Sequence, residues 1–235
     1  MERLVKYYKG DLIEYSIFKL VDFYDPILRQ PTIPWDHKKY DPKESEYLGF
    51  SLAETLQKLG GLGLSANQVG LPHKICVVNM GEHGIWTMFN PEIIEHGEKL
   101  SEYSEGCLSY PGLYLKLPRY DHIKVKFQAM YGQEVIHEFD GLTAVCVQHE
   151  LDHLNGIVYT DKVSPIKLDQ AKRKVKKNLK KMKALTESRE ILEMQQPTQE
   201  IVKKQEQTEA EKFVYSTGWR KLLILFEFFL FTMWL

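Results

Sequence analysis

The 235-residue sequence predicts a mixed fold of helices and antiparallel strands. Two stretches, from about Pro42 to Leu59 and from Leu142 to about Leu154, carry apolar residues at the three-and-four spacing of helices. Between them, residues 122–130 and 134–139 alternate apolar and polar residues on either side of a Tyr-Gly-Gln turn, which indicates a hairpin. The 43% hydrophobic content is that of a globular protein with a core.

The cysteine pattern and the start of the chain bear on its compartment. Cys76, Cys107 and Cys146 do not form the even, closely spaced set of a disulfide framework, which favours a reducing environment. The first residues contain no apolar run of signal-peptide length, and Glu2 and Asp11 are unlike an acid-poor transit peptide. We therefore expect a cytoplasmic protein.

Prolines and glycines determine the predicted backbone conformation before and after the first helix. Residues 1–17 are interpreted as an N-terminal arm with helix-like apolar spacing, and three prolines make the stretch from Leu20 to Trp35 extended or turning. Residues 60–70 are rich in glycine. Such a stretch is either a plain turn or a loop whose backbone approaches a ligand closely, and both interpretations stay open.

Two strands are predicted next. Residues 74–80 are short and β-branched, which indicates a buried strand, and residues 86–95 form a further strand broken by Pro91. Residues 100–111 begin polar and end at a Gly-Cys-Leu corner. Asp140 is expected to cap the helix that follows the hairpin, and Asn155-Gly156 to end it.

The rest of the chain divides by charge. Ser164 and Pro165 begin a basic amphipathic helix over residues 164–190, in which one apolar stripe packs and lysines fill the remainder. The stripe consists of Leu168, Ala171, Val175, Leu179 and Met182. Residues 191–212 are interpreted as a polar linker or loose helix, and residues 213–235 as a hydrophobic tail.

Residues 148–153, Gln-His-Glu-Leu-Asp-His, contain an HExxH motif. On a helix, His149 and His153 project from one face and can bind one metal ion, and Glu150 can reach a water on that ion. A hydrolytic centre needs a third protein ligand and one open position. Cys107, the other histidines and the carboxylates are candidates. A buried thiol is the alternative for Cys107, and a small packed side chain is the alternative for Cys146.

Three separated strings resemble the motifs of the peptide deformylase family. They are residues 61–68 (Gly-Leu-Gly-Leu-Ser-Ala-Asn-Gln), residues 105–109 (Glu-Gly-Cys-Leu-Ser) and the HExxH string, in the family's order and approximate spacing. The resemblance covers roughly residues 18–185. It implies an α+β fold in which antiparallel strands surround a central helix bearing HExxH, with a catalytic domain over residues 18–163 and a C-terminal basic helix and tail.

The resemblance also implies a metal site. Cys107, His149 and His153 would hold one divalent ion, with water as the fourth ligand. In the family the native ion is Fe²⁺, and Zn²⁺, Ni²⁺ or Co²⁺ can occupy the site. The reaction that the resemblance implies removes the formyl group from the N-terminal formyl-methionine of new polypeptides and releases formate.

Three further residues receive catalytic roles from the same resemblance. Glu150 would act as general base and then as general acid. The side-chain amide of Gln68 and the backbone N–H of Leu108 would stabilise the oxyanion.

Substrate contacts follow in the same way. The residues expected to contact the substrate, by flanking the peptide or lining a methionine pocket, are Leu62, Gly63, Tyr103, Leu142, Val145 and Cys146. Glu105 and Arg119 match a carboxylate and an arginine expected to pair behind the metal site, with a solvated surface contact as the alternative. The family most often has alanine in place of Ser65, a difference that we expect to be without consequence.

Partners are expected beyond the formyl-methionyl nascent peptides. The basic helix at 165–185 falls where bacterial deformylases have a helix that rests on the ribosome, and its lysines suit RNA phosphate; a solvated helix is the alternative. The tail at 213–235 is either an anchor on a membrane surface, a segment packed on protein, or a disordered end. No DNA partner is expected.

Two rival functions are weighed against the deformylase interpretation. A zinc peptidase of the HExxH class usually takes its third ligand downstream of the motif, but the sequence has no histidine after His153. An inactive relative that serves as a ribosome-binding or membrane-attached module is the other rival. The presence of every ligand and of Glu150 argues against it.

Overall fold

The computed structural model of the protein describes residues 3–8 and 10–216, with side chains through residue 190. Residues 1–175 and 176–235 form two units. In the described part, all strand pairs are antiparallel. The strands are β1 (Leu4–Tyr8), β2 (Asp11–Tyr15), β3 (Gly63–Ser65), β4 (Ile75–Asn79), β5 (Ile85–His96), β6 (Leu100–Cys107), β7 (Tyr110–Tyr120), β8 (His122–Gln128) and β9 (Glu134–Asp140). The helices are α1 (Pro42–Leu59), α2 (Gly141–Leu154) and α3 (Pro165–Ser216).

A five-stranded sheet in the order β3-β4-β5-β8-β9 lies between α1 and α2. Successive residues of a strand point to opposite faces. In β4, Cys76 and Val78 therefore pack with α2, whereas Ile75 and Val77 pack with α1. All four residues are fully buried, which confirms the prediction of a buried strand.

Helix α1 occupies the predicted residues because both of its ends carry strong signals. The Asp41 carboxylate accepts the N–H of Lys43 at 2.8 Å, and Glu44 accepts the N–H of Asp41 at 3.1 Å, which forms a capping box. Gly60 ends the helix in the left-handed region, at φ 67°.

The N-terminal arm is a β-hairpin, so the expectation of helix-like structure is wrong. β1 and β2 pair from Leu4 with Tyr15 to Tyr8 with Asp11, around a tight turn in which Gly10 has φ 98°. Aromatic and β-branched residues favour these strands, and five-residue segments are too short to show a helical period. The chain after β2 is bound to α1, because Ser51 Oγ accepts the N–H of Ser16 at 2.9 Å.

Two strands differ from the prediction near the centre of the chain. β5 continues through Pro91, because the ladder takes a bulge between Phe89 and Glu92 that absorbs the proline. Asn90 has φ 52° there, and its side chain bonds the backbone of Trp35. Strand β7, which pairs with β6, was not predicted.

Helix α2 lies where the HExxH string requires it. Asn155 and Gly156 end it as expected, with Gly156 at φ 73°. Asp140 holds the N-cap position, but its side chain makes no capping bond and instead meets His122 Nδ1 at 2.8 Å, so the expected capping contact is wrong.

Helix α3 begins at Pro165 as predicted but continues to Ser216, through the stretch interpreted as a linker or loose helix. Within the first unit, Leu168, Ala171 and Val175 pack against a further core cluster that includes Leu28, Leu115 and Tyr159. None of the helices within residues 3–8 and 10–216 contains an apolar stretch of the length that spans a bilayer. The predicted tail begins at residue 213; residues 213–216 belong to α3, and the rest of the tail lies outside the described residues.

Candidate metal centre and active site

Three potential metal ligands converge from two elements. His149 and His153 stand one turn apart on α2, and Cys107 ends β6 at the bend into β7. Their ligand atoms lie within 4.8 Å of one another, and Cys107 Sγ is 3.2 Å from His153 Nε2. A thiol and two imidazoles with a shared focus fit a divalent transition metal, and they leave further coordination positions to the cavity in front of them.

The electrostatics of the two histidines differ. Burial lowers the pKa of His149, but the contacts with Cys107 and Glu105 outweigh it and raise that pKa to about 10, so a metal ion must displace a proton to bind there. Burial, followed by the charges of His149 and Arg119, lowers the pKa of His153 well below its ordinary value, so that the imidazole is neutral and keeps a nitrogen lone pair. His149 Nδ1 is 2.8 Å from Glu105 Oε2, which directs the other ring nitrogen towards Cys107.

Glu105 belongs to a buried ionic chain behind the ligands. The Arg119 guanidinium donates to both Glu105 oxygens, at 2.6 and 2.9 Å, and to Asp152 at 2.6 Å. Asp152 also pairs with Lys162 at 2.6 Å. Burial raises the pKa of Glu105, but the bonds from His149 and Arg119 outweigh it and hold the pKa below its usual value. The pair is therefore a buried one and not the solvated surface contact.

Glu150 lies beside the ligands with 2% of its surface exposed. Burial raises the pKa of its carboxyl above the ordinary value, against the lowering effects of His149 and Ser65. Gly63 leaves the space that the carboxyl needs, because a Cβ at that position would lie 2.4 Å from Glu150 Oε1. A carboxylate with a raised pKa can accept a proton from water and release it again near neutral pH.

Gln68 presents its amide nitrogen to the same site. Its Nε2 donates to Ser109 Oγ at 3.0 Å and lies 3.4 Å from Cys107 Sγ, while its Oε1 accepts the N–H of Ser65 at 2.9 Å. The amide orientation is therefore set by contacts at both ends. Leu108, the residue after Cys107, lines the adjoining cavity.

The cavity in front of these groups has a volume of about 380 Å³. Five of the expected substrate residues line it, namely Leu62, Gly63, Leu142, Val145 and Cys146. Tyr103 is not among its lining residues, and its expected contact with the substrate stays a prediction. Its hydroxyl donates to Asp121 at 2.8 Å. The glycine-rich stretch at 60–70, which includes β3, thus borders a ligand-sized cavity.

Sequence reasoning missed several polar groups that support the site. Asn67 donates to the backbone oxygen of His153 at 2.6 Å, Ser65 donates to Glu150, and Ser109 accepts from Gln68. All three residues lie inside the strings that carry the resemblance. Their hydrogen-bonding side chains were the available signal, but the sequence does not show which of them face α2.

We predict that Arg119→Met lowers the free energy of unfolding by about 3 kcal/mol, because it leaves the Glu105 carboxylate buried without its main counter-charge. The control Arg3→Met breaks a pair with Glu14 in which both side chains are more than half exposed, and should cost less than about 1 kcal/mol. Urea unfolding of both variants measures the difference. Equal losses would contradict a buried ionic role for Arg119.

Comparison with known proteins agrees with this geometry. The model of the polypeptide deformylase family matches residues 17–169. Peptide deformylase 2 of Xanthomonas axonopodis is 36% identical over 168 residues, which cover 70% of this chain and 98% of the relative. Peptide deformylase of Brucella suis is 35% identical, over 69% of this chain and 93% of the relative.

Solved structures show the same fold. A peptide deformylase from Legionella pneumophila matches with a TM-score of 0.63 and 32% identity, over 72% of this chain and 98% of its own. A peptide deformylase from Thermotoga maritima matches with a TM-score of 0.59 and 35% identity, over 64% of this chain and 99% of its own. The predicted α+β fold is thereby confirmed, as is the resemblance that the three motif strings indicated. The chain belongs to the polypeptide deformylase family.

Proposed function

We propose that the protein removes the formyl group from the N-terminal formyl-methionine of newly made polypeptides by hydrolysis and releases formate. The observation that carries the proposal is the convergence of Cys107, His149 and His153 beside the buried Glu150, at the end of a cavity, in a deformylase-family chain. We favour this function over the rival HExxH peptidase, because among the residues that the structure describes it is the upstream Cys107 that groups with the two histidines.

Cys107, His149 and His153 would hold one divalent ion, and we propose Fe²⁺ as the native one. The resemblance supports this choice, and the same donor set also suits Zn²⁺, Ni²⁺ and Co²⁺. When bound, such an ion lowers the pKa of water and polarises a carbonyl group. Glu105 orients the His149 ring for ligation through the 2.8 Å contact.

Glu150 would move the proton of the reaction. Its carboxylate takes a proton from the attacking water as the water oxygen bonds to the formyl carbon. The same carboxyl then gives that proton to the amide nitrogen as the carbon–nitrogen bond breaks, so that formate and a free amino group result. Burial keeps this carboxyl out of bulk water, and its raised pKa suits both steps.

Gln68 and Leu108 would stabilise the negative charge that forms on the formyl oxygen. The Gln68 amide is held by Ser65 and Ser109, so its donor position exists before substrate binds. The backbone N–H of Leu108 is the second proposed donor, and both residues line the cavity.

The apolar wall of the cavity suits a methionine side chain. Leu142, Val145 and Cys146 of α2 would contact that side chain, and Leu62 and Gly63 would lie along the peptide backbone. Leu62 and Leu142 are 50% and 59% exposed, so they stand at the entrance and become covered when a peptide binds.

We predict that the metal-loaded protein, purified without oxygen, releases formate from a formyl-Met-peptide, and that Glu150→Gln lowers kcat by roughly 10³-fold. The variant keeps the size of the side chain but removes its basic oxygen. Glu102→Gln makes the same change at an exposed position of β6 outside the cavity and should leave kcat unchanged. Absence of formate with the wild-type protein would refute the proposed activity.

We further propose that α3 contacts the ribosome, which places the enzyme in the cytoplasm beside nascent chains. The lysines of the helix between residues 172 and 183 are exposed and form a basic surface that suits RNA phosphate.

Replacing four of these lysines by glutamate should weaken cosedimentation with ribosomes, increasingly so at low salt. The four are Lys176, Lys177, Lys180 and Lys181. A control with the same change of charge replaces four other exposed lysines, and it should bind as the wild type does. These are Lys38, Lys43, Lys58 and Lys116. Equal binding by both variants and the wild type would contradict docking through α3.

Residues 213–235 are proposed to rest on a membrane surface. The support is the sequence pattern: a mostly apolar run interrupted by Glu227, shorter than a bilayer span, and preceded by Arg220 and Lys221.

Flotation of the full-length protein with anionic liposomes tests this anchor. The double change Phe226→Asp and Phe229→Asp should reduce flotation, because it places charges in the apolar run. The double change Gln205→Asp and Gln207→Asp adds the same charge before the run and should leave flotation unchanged. No flotation by the wild type, or equal flotation by all three proteins, would exclude the anchor.

A further inference from the structure

A fully buried serine touches the proposed base. Ser65 ends β3 with none of its surface exposed, and its Oγ lies 2.6 Å from Glu150 Oε2 and 3.0 Å from the backbone oxygen of Glu150. The backbone N–H of Ser65 is itself bonded to Gln68 at 2.9 Å. The hydroxyl is therefore fixed relative to both the proposed base and a proposed oxyanion donor.

The shorter of the two contacts has the length of a charge-assisted bond. Hydrogen bonds from a hydroxyl to a carboxylate fall at about 2.5–2.7 Å, so Ser65 donates to Glu150 Oε2 when the carboxyl is ionised. After Glu150 has taken a proton on Oε1, Oε2 is the carbonyl oxygen of the acid and still accepts the bond from Ser65 Oγ. The contact is thus available before and after the proton moves.

The contact also decides which carboxyl oxygen faces the reaction. Oε2 is held by Ser65, whereas Oε1 lies beside Gly63, which lines the cavity. A Cβ at position 63 would lie 2.4 Å from Oε1 and 2.8 Å from Cys146 Sγ, so the carboxyl occupies a narrow space that glycine leaves open. Without the hydroxyl, nothing else in the hydrogen bonding of the described residues orients the Glu150 side chain.

We propose that Ser65 is a positioning residue, which holds the Glu150 carboxyl so that Oε1 points at the reacting water. The inference rests on the proposed deformylase function. The expectation that serine in place of alanine has no consequence is thereby revised: in this chain the hydroxyl has become part of the support of the base.

Steady-state kinetics of Ser65→Ala test this role. We expect kcat per bound metal ion to fall about fivefold, in line with the loss of one hydrogen bond, and KM to stay within about twofold. KM is spared because Glu150 moves a proton during the reaction and is not proposed to bind the peptide before it. The fall is partial because the burial of Glu150 and its close fit beside Gly63 remain in the variant.

Ser51→Ala is the matched control. Ser51 is also fully buried, and its hydroxyl accepts a hydrogen bond from the N–H of Ser16 in α1's contact with the hairpin, away from the cavity. The Ser51→Ala variant should be less stable than the wild type but should have the same kcat. A kcat for Ser65→Ala equal to that of Ser51→Ala, or a change in KM alone, would overturn the proposal.

Crystal structures of the wild type and Ser65→Ala give a readout that does not depend on activity. The wild type should show one Glu150 conformer bonded to Ser65, and the variant a displaced or divided carboxyl. An identical single conformer in both would overturn the positioning role. Absence of formate release by the wild type would instead refute the proposed function, while the two structures would still decide whether Ser65 holds Glu150.

Discussion

The site depends on how the β6–β7 hairpin is tied to α2, because Cys107 and the two histidines come from different elements. Arg119 of β7 makes this tie: it pairs with Glu105 of β6 and with Asp152 of α2. Beside it, the Gln148 side chain accepts the N–H of Tyr120 at 3.1 Å and donates to its backbone oxygen at 2.9 Å. These bonds set the position of the hairpin along the helix, and with it the position of the thiol.

The same ionic chain connects ligand orientation to stability. The chain begins at the candidate ligand His149 and continues, with alternating charges, through Glu105, Arg119, Asp152 and Lys162. Each buried charge has an opposite partner, so no member carries its desolvation cost alone. The arrangement couples the direction of one imidazole to contacts that reach the partly exposed Lys162.

Periodicity and motif order predicted the parts of the fold in which a pattern runs long enough. Helix α1, the buried strand β4 and the β8–β9 hairpin are found where the sequence places them. The N-terminal hairpin was missed because its strands have five residues each. The predicted break at Pro91 was wrong, because a bulge next to Asn90 accommodates the proline within β5. That bulge depends on the pairing of β5 with β8.

The site divides in a similar way. Residue type and motif order were sufficient to single out Cys107, His149, His153 and Glu150, which the structure brings together, because few side chains bind metals or carry protons. The hydrogen bonds of Tyr103 to Asp121 and of Ser65 to Glu150 were not predicted, because they depend on the position of Tyr103 along β6 and on the packing of β3 against α2. A sequence states neither quantity.

The central claim is that Cys107 joins the two histidines of α2 around one metal ion. X-ray absorption at the zinc edge of the zinc-loaded, full-length protein measures this coordination directly. The predicted spectrum contains one sulfur at about 2.3 Å and two imidazole nitrogens at about 2.0–2.1 Å. The sulfur signal should disappear in Cys107→Ser and persist in Cys146→Ser. A wild-type spectrum with nitrogen and oxygen neighbours alone would contradict the account.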